Sequence, residues 1–522
     1  MHRAESLRRL RERPEPFDLA IIGGGASGFG VALEALARGL SVVLLDKSDF
    51  GKGTSSRSTK LLHGGVRYLA QGQLRLVFEA LGERGLLLKA APHLSSVQRF
   101  VIPIYSRYQR IKYTAGLKVY DLMSGRLRIG RSRFVSREDT LRRLPNVRPE
   151  GLQGGVIYHD GQFDDARLLI AIARTCFDMG ACILNHARVT ALIKDEKGCI
   201  AGLSANDELS ERQYEIMARM VVNATGVFAD KILRLDTPGA ARSIQTSQGI
   251  HLVLDQDFLG GTDALMVPAT TDGRVLFVVP WQGKLIVGTT DTLREKPSLE
   301  PRALDEEIDF VLDNAARYLH RKPTRADVRS VFVGLRPLAM PKDGRAKTKD
   351  MSRSHKVIIS ESGLVSIVGG KWTTFRKMGA DTVQAFAKLS GRPLPPRLRF
   401  PEAFHGAAPR IEGHLNAYGS DAPAIRALQQ ASPTFAERLH PDYPYTAAEA
   451  VWAVRHEMAM TVEDVLSRRI RLLVLDARAA LYAAPKVAEL MAAELGKDQK
   501  WIRTELEDFS KIAGKYMITT HE

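Results

Sequence analysis

Cysteine is scarce: Cys176, Cys182 and Cys199 are the only three in 522 residues. Their spacing forms neither a C-x-x-C pair nor a zinc-ligand set, and an odd few thiols suit a reducing compartment. That excludes a disulfide framework, and no metal is expected. Long apolar runs are missing too. No stretch of eighteen residues is free of polar interruption, so no membrane-spanning helix is expected. Met1 to Phe17 is rich in Arg and lacks the apolar centre of a secretory signal. A strand pattern starts at Asp18, which argues against a long removable leader. Aromatics make up only 7% and few stand among the arginines, which leaves little for stacking on nucleic-acid bases. Internal repeats and low-complexity tracts are also absent.

Acids are the minority charge, 59 against 75 Lys and Arg, for a net charge of +16. The excess is local. Arg99 to Arg148 holds thirteen Lys or Arg and three acids (Asp121, Glu138, Asp139), which is ten of the sixteen net charges. Such a patch attracts anionic lipid, nucleic acid or phosphorylated substrates; the bland reading is a solvated basic face. A chain of this length exceeds one hydrophobic core, and about two to four domains are expected.

Asp18 to Ile22 is a short apolar run that ends in Gly23-Gly24-Gly25. Phe29 to Leu40 reads as a helix, and Ser41 to Leu45 as a second buried strand ending at Asp46. This β-α-β unit opens a dinucleotide-binding fold. Asp164 to Asp178 reads as a helix. Cys182 to Leu192, Ile200 to Leu203 and Met220 to Asn223 read as strands returning to the first sheet. His251 to Leu254, Arg274 to Pro280 and Lys284 to Thr289 then suggest an antiparallel sheet in a second, substrate-covering domain. Lys356 to Ile359 and Leu364 to Val368 lead to another glycine turn and a helix from about Thr373. Beyond Pro395 and Pro396 the chain turns helical, with helical spacing over Ala447 to Leu475 and a helix from Pro485 to Leu495 that has proline in its first turn. The expected fold is α/β (α+β overall): a Rossmann-like FAD-binding domain, an antiparallel-sheet substrate domain and a C-terminal α-helical domain. A basic tail (1–17) precedes a core (18–395) and the helical domain (396–522). Within the core, 18–90, 150–235 and 355–390 are assigned to FAD binding, and 91–149 and 236–354 to the substrate domain.

Gly23-x-Gly25-x-x-Gly28 follows a strand and opens a helix. Glycines let the backbone approach a pyrophosphate, and the helix N-terminus offers it N–H groups and a positive dipole end. Asp46, eighteen residues after Gly28, is placed to accept from ribose hydroxyls. Two distant features favour FAD over NAD. Ala224-Thr225-Gly226 follows Asn223 at a strand end, where small residues permit close contact with a dinucleotide. Gly369-Gly370-Lys371 opens a helix, and a helix N-terminus beside a flavin ring stabilises its anionic reduced form.

Thr54-Ser55-Ser56-Arg57-Ser58-Thr59-Lys60-Leu61-Leu62-His63-Gly64-Gly65-Val66-Arg67-Tyr68-Leu69 closely resembles the signature of flavin-dependent glycerol-3-phosphate dehydrogenases. Tyr158-x-Asp160 with Asp164-Asp165-Ala166-Arg167-Leu168 does so too, as do Val333 to Leu338, Gly369 to Lys377 and Thr461 to Arg469. The resemblance runs in order from Asp18 to the end; single pieces are shared with amine and amino-acid oxidases. It implies non-covalent FAD held by the glycines and Asp46 above and by Thr54, Ser55, Ser58, Lys60, Leu61, Gly65, Ala224, Thr225, Gly226, Gly370, Lys371 and Thr373. It implies oxidation of sn-glycerol-3-phosphate to dihydroxyacetone phosphate, with electrons passed to a quinone. It also implies a cytoplasmic enzyme bound peripherally to the inner face of a bacterial membrane; a homodimer is compatible with it. The mitochondrial relatives carry calcium loops after the helical domain, and no such acidic twelve-residue loop occurs here, which favours the bacterial type. Two departures stand out. The acid after the second strand is usually Glu and here is Asp46. Arg57 stands where some relatives have a small residue, and either reaches the pyrophosphate or points to solvent.

The chemistry needs a held phosphate, a C2 hydride aimed at the flavin and a base for the C2 hydroxyl. The planar fork of arginine suits the phosphate. The substrate candidates that match the family are Arg67, Tyr68, His251, Arg336 and Lys371. His63 is the preferred base, and His251 the substrate or oxyanion contact, with the assignment between them open; Arg336 could polarise the C2 oxygen. In the basic stretch, Tyr113, Leu117 and Tyr120 fall on one helical face beside Lys112 and Lys118. That face either lies on anionic lipid or packs on the core. The rivals are an amine or amino-acid oxidase, an oxygen-using glycerol-3-phosphate oxidase and a nucleic-acid-binding flavoprotein; no nucleic acid is expected.

Overall fold

The computed structural model describes residues 1–522 apart from 67, 68, 70, 71, 341–353, 399 and 519–522. Two sheets carry the molecule. The chain enters the first with β1 (Phe17–Ile22) and β2 (Val42–Leu45), then crosses to the second with β3 (Leu61–Leu62), β4 (Ser95–Ile104), β5 (Arg133–Val135) and β6 (Gly154–Phe163). It returns with β7 (Cys182–Leu184), β8 (Ala187–Lys194), β9 (Ile200–Asp207) and β10 (Gln213–Asn223). The second sheet is then extended by β11 (Ile244–Asp255), β12 (Ala264–Val267), β13 (Leu276–Trp281), β14 (Lys284–Gly288), β15 (Thr292–Arg294) and β16 (Ser330–Ala339), and β17 (His355–Ile359) and β18 (Val365–Gly369) close the first.

The first sheet has the order β17-β18-β10-β1-β2-β7, with β9 and β8 added to β10 as an antiparallel ribbon. Its central pairs are parallel. Helices cover parallel strands on both faces, so these strands are apolar throughout rather than alternating; all four residues of β2 are buried. The register decides the site. Ile22 lies opposite both Leu45 and Asn223, and Asn223 opposite Ser366. The turns that follow β1, β2, β10 and β18 therefore emerge on one edge of the sheet.

The second sheet is antiparallel except where β12 runs parallel to β4. Two pieces expected in the nucleotide-binding layer hydrogen-bond here instead: Leu61–Leu62 pairs with β6, and β6 pairs with β4 along its whole length. The C-terminal helices lie against this sheet, where Val253, Trp281, Ile286 and Phe332 share one apolar core with Leu466, Leu473, Ala480 and Met491.

Several local expectations are corrected. The basic tail of residues 1–17 carries an element that the sequence reading did not assign. Arg3–Arg11 forms a helix whose Arg9 donates to Phe177 O and Ala181 O, both at 2.9 Å, and whose Arg3 pairs with Asp207 at 2.6 Å. Cys182 to Leu192 is two strands, broken at His186, whose φ is +49°. Pro485 lies inside the Ala477–Leu495 helix rather than starting one. Of the two alternatives for Tyr113, Leu117 and Tyr120, the Arg107–Met123 helix takes the one that packs them on the core. Leu117 and Tyr120 are buried, and Tyr113 is half-buried with its hydroxyl donating to Pro268 O at 3.1 Å. Spacing showed which residues share a face, but not which way that face turns.

One packing device went unread. A Cβ on Gly379 would lie 2.1 Å from Gly30 O, and one on Gly30 would lie 2.4 Å from Phe375 O. The Ala26–Leu36 and Phe375–Val383 helices thus touch backbone to backbone, which fixes the Gly369-Gly370 turn beside the first helix.

Candidate active site

A cavity of about 610 Å³ opens along that shared edge and runs beneath the second sheet. Its dinucleotide end is built by close backbone approach. Gly23 has φ +109°, and a Cβ there would lie 2.7 Å from Ala224 O. A Cβ on Gly28 would lie 1.9 Å from Gly23 O, so this glycine seats the helix on the turn and does not line the cavity. Gly23 N donates to Leu45 O at 2.8 Å, and Ala224 N to Ile22 O at 2.9 Å. Asn223 Oδ1 accepts from Thr225 N and Oγ1, at 3.3 and 2.8 Å, and so shapes the third turn.

Asp46 lines the cavity, with Oδ2 accepting from Gly24 N at 2.7 Å and Oδ1 from Ser48 N at 2.8 Å. Burial raises its pKa, and these two amides oppose the shift. Each carboxylate oxygen keeps a second acceptor site for a ribose hydroxyl. The cavity also reaches Lys47, Arg188, Phe228 and Lys231, which sequence reading missed. Lys47 and Lys231 Nζ lie 4.7 and 5.3 Å from the Phe228 ring centroid. The glycine cradle and the acceptor pair of Asp46 fit the pyrophosphate and ribose of an adenine dinucleotide such as FAD.

Four predicted contacts sit differently from a simple lining role. Thr54 lines the cavity, but its hydroxyl donates to Leu335 O at 2.6 Å. Ser55 Oγ accepts from Ala26 N at 2.9 Å, so it caps the first helix. Lys60 does not line the cavity: its Nζ is buried and donates to Asp165 at 2.7 Å and to Ser56 O at 2.8 Å. Gly65, with φ +82°, is likewise off the lining. Arg57 borders the cavity and does not point to solvent; its guanidinium donates to both Glu300 oxygens at 2.7 Å and to Leu299 O at 2.9 Å.

Gly25, Ser58, Leu61, Thr225, Gly226, Gly370, Lys371 and Thr373 all border the cavity, as do His63, His251 and Arg336 at the end beneath the second sheet. Arg67 and Tyr68 lie outside the described residues. The Arg336 fork donates to Thr290 O at 3.0 Å and Thr289 Oγ1 at 3.1 Å. Gly249 makes room for it, because a Cβ there would lie 2.3 Å from Arg336 Nη2. The turn that carries His63 is held from below: Gly64 N donates to Tyr120 OH at 2.8 Å, Tyr120 OH to Asp160 at 2.9 Å, and Arg84 to Asp160 at 2.8 Å. The Tyr158-x-Asp160 motif thus acts from beneath the site.

His251 is buried. Its ring stacks on Phe332 with centroids 4.7 Å apart, and Nε2 meets Thr59 Oγ1 at 2.9 Å. Burial, then the charges of Arg336 and Lys60, hold its pKa well below 6.5. The ring is therefore neutral at neutral pH, able to accept a proton or to donate one N–H to an oxyanion. A stability test follows from the sign of that shift. The unfolded chain takes up this proton near 6.5 and the native state only at lower pH, so the native advantage is full above 6.5 and is lost as pH falls below it. Urea midpoints at pH 7, 6 and 5 are expected to fall more steeply for wild type than for His251→Gln. Parallel curves would contradict the assignment.

Comparison with known proteins places the chain. Residues 18–376 match the FAD dependent oxidoreductase family model, and residues 363–502 match the C-terminal domain of alpha-glycerophosphate oxidase. A probable mitochondrial glycerol-3-phosphate dehydrogenase of Caenorhabditis elegans is 40% identical over 94% of this chain and 72% of its own length. The mitochondrial glycerol-3-phosphate dehydrogenase of Homo sapiens is 38% identical over 95% and 73%. The crystal structure of the glycerol-3-phosphate dehydrogenase from Bacillus halodurans complexed with FAD aligns over 100% of this chain and 98% of its own, with a TM-score of 0.79 and 27% identity. With the family model matched over most of the chain and relatives of about 40% identity covered over more than two thirds of their length, this chain belongs to the FAD-dependent oxidoreductases, in their glycerol-3-phosphate dehydrogenase family.

Proposed function

We propose that this protein oxidises sn-glycerol-3-phosphate to dihydroxyacetone phosphate with FAD and passes the electrons to a quinone. The observation that carries the reading is one cavity that joins a dinucleotide cradle to an end bordered by Arg336, Lys371, His63 and His251. Bound FAD would accept the C2 hydride. The chain's own residues do the rest. The glycine turns and Asp46 hold the cofactor, Arg336 and Lys371 neutralise the phosphate, and Arg336 also presents a rigid fork to it. The two histidines serve the C2 hydroxyl: His63 as base, and His251, neutral at working pH, as the donor to the developing oxyanion. Anaerobic addition of sn-glycerol-3-phosphate to the flavin-loaded protein should bleach the oxidised flavin band, whereas glycerol and sarcosine should not. An unchanged spectrum would sink the reading. Reoxidation by quinones but not by oxygen would separate a dehydrogenase from an oxidase.

We further propose that the protein docks on the cytoplasmic face of an anionic bacterial membrane. Among the described residues no helix is long and apolar enough to cross a membrane. Support comes from two neighbouring helices, Leu74–Ala90 and Arg107–Met123. They expose Leu74, Phe78, Tyr108, Ile111 and Leu122, with Phe78 65% and Leu122 79% accessible. Arg75, Arg107, Arg110, Lys112, Lys118, Arg126 and Arg128 are exposed around them. Exposed apolar side chains interspersed along these helices with exposed cations match an anionic lipid surface. Phe78→Glu with Ile111→Glu should lower partitioning onto vesicles containing phosphatidylglycerol by about tenfold or more and leave activity with a water-soluble acceptor intact. Unchanged partitioning would refute this face.

A further inference from the structure

A fully buried polar cluster centred on Asp165 stands behind the cavity and touches it through Ser58. Asp165 is the first residue of the Asp165–Asp178 helix, which Asp164 caps, and it is fully buried. Its carboxylate accepts from Ser58 N at 2.9 Å, Ser58 Oγ at 2.7 Å, Lys60 Nζ at 2.7 Å and Arg471 Nη2 at 2.9 Å. The two cations do not stop there. Lys60 Nζ also donates to Ser56 O at 2.8 Å, and Arg471 Nη2 to the same oxygen at 3.0 Å. The backbone is thus tied at Ser56 and at Ser58, and tethered again through the Lys60 side chain.

Thr59 lies between those ties and borders the cavity, and its Oγ1 makes the 2.9 Å contact with His251 Nε2. His251 Nδ1 is buried and has no hydrogen-bond partner among the described residues. The Thr59 hydroxyl is thus the hydrogen-bond partner that orients the ring, accepting from Nε2 or donating to it according to the tautomer. Lys60 and Arg471 are both left-handed, with φ +62° and +63°, a conformation that is unfavourable for a non-glycine residue and persists only where surrounding bonds impose it. Both strained residues meet at Asp165. Arg471 comes from the C-terminal helical domain, anchored by the neighbouring Arg469, which pairs with Asp49 of the nucleotide-binding layer at 2.7 Å.

We propose that Asp165 and Arg471 are positioning residues that act through the Ser58–Lys60 turn to set the geometry of the Thr59–His251 pair, which makes the C-terminal helical domain part of the catalytic apparatus. The inference rests on the glycerol-3-phosphate reading for its substrate, but its geometry stands without it. An Asp165–Arg471 pair that served stability alone would alter melting and flavin loading. A positioning pair alters the imidazole of His251 in protein that is folded and loaded.

The test uses the full holoenzyme with Asp165→Asn, Arg471→Met, Arg471→Lys and Thr59→Val. Arg455→Ala, which removes an exposed pair with Glu494 in the same helical domain, is the control. Three quantities are read: FAD affinity, the single-turnover rate of flavin reduction by sn-glycerol-3-phosphate, and the ¹⁵N signals of the His251 ring. Loaded Asp165→Asn and Arg471→Met are expected to reduce about tenfold or more slowly, with half-saturation moved less than about threefold. Arg471→Lys should recover part of the rate, because it keeps the charge and loses the second donor. Thr59→Val, which removes one hydroxyl and keeps the shape, should reproduce the slower rate and shift the ring signals. The control should match wild type in all three. Rates within about twofold of wild type together with unmoved His251 signals in loaded Thr59→Val would overturn the proposal, even where Asp165→Asn takes up no flavin. If wild type itself is not reduced by this substrate, the functional reading falls, and the ring signals of Asp165→Asn and Thr59→Val still decide the positioning role.

Discussion

Arg336→Ala is expected to lower kcat/KM for sn-glycerol-3-phosphate by about 10²- to 10³-fold, roughly 3–4 kcal/mol, with FAD still bound. Its guanidinium is already aimed by Thr290 O, Thr289 Oγ1 and Gln248 O at 3.0, 3.1 and 3.4 Å. Asp291 adds an ion pair from the same side at 3.4 Å. A dianionic phosphate would thus find a fixed, half-buried cation. Arg336→Lys keeps charge and loses the fork, so its effect should be intermediate. Steady-state kinetics with inorganic phosphate as competitor separate the roles. If Arg336 holds the phosphate, KM and the inhibition constant rise together. A fall in kcat alone would assign it to the C2 oxygen, and activity within about twofold of wild type would remove it from the site.

The second large effect is Gly28→Ala, expected to leave a folded protein that binds FAD at least about tenfold more weakly. The added methyl would sit 1.9 Å from Gly23 O, a backbone atom that no rotamer change can clear. Helix and turn must part, and the Ala26–Leu36 N-terminus then moves off the pyrophosphate position. Gly116→Ala is the comparison: it lies within the Arg107–Met123 helix and has nothing within 4 Å of its Cβ. Flavin release on dilution, followed by fluorescence, gives both affinities. Equal affinities would show that the close approach is not what the glycine serves.

The nucleotide end was legible because its signal is local. A glycine turn between an apolar strand and a helix has few other uses, and an acid ending the next strand completes it. The same locality explains the errors. Lys60 belongs to the motif beside the cavity, yet its side chain turns toward Asp165, a partner 105 residues away. Arg57 turns to Glu300, 243 residues away. Tyr120 was read on a face left open between lipid and core, and it turns inward to support the His63 turn through Gly64. For each, neighbours in sequence gave the backbone path, and a distant charge or hydroxyl chose the side chain's direction.

The sequence by itself determined the parallel dinucleotide layer, the antiparallel second sheet, the helical C-terminal domain and the residue types gathered at the cavity. It did so because apolar periodicity and glycine placement act over a few residues, and the unfolded chain already carries them. Only the tertiary structure decided which strands Leu61–Leu62 and β6 join, which face of Arg107–Met123 meets solvent, and that Asp165 and Arg471 stand behind Thr59 and His251. Those outcomes depend on which buried charge finds a partner. An unpaired charge in the interior costs several kcal/mol, so the fold resolves them by contacts hundreds of residues apart, which no local pattern encodes.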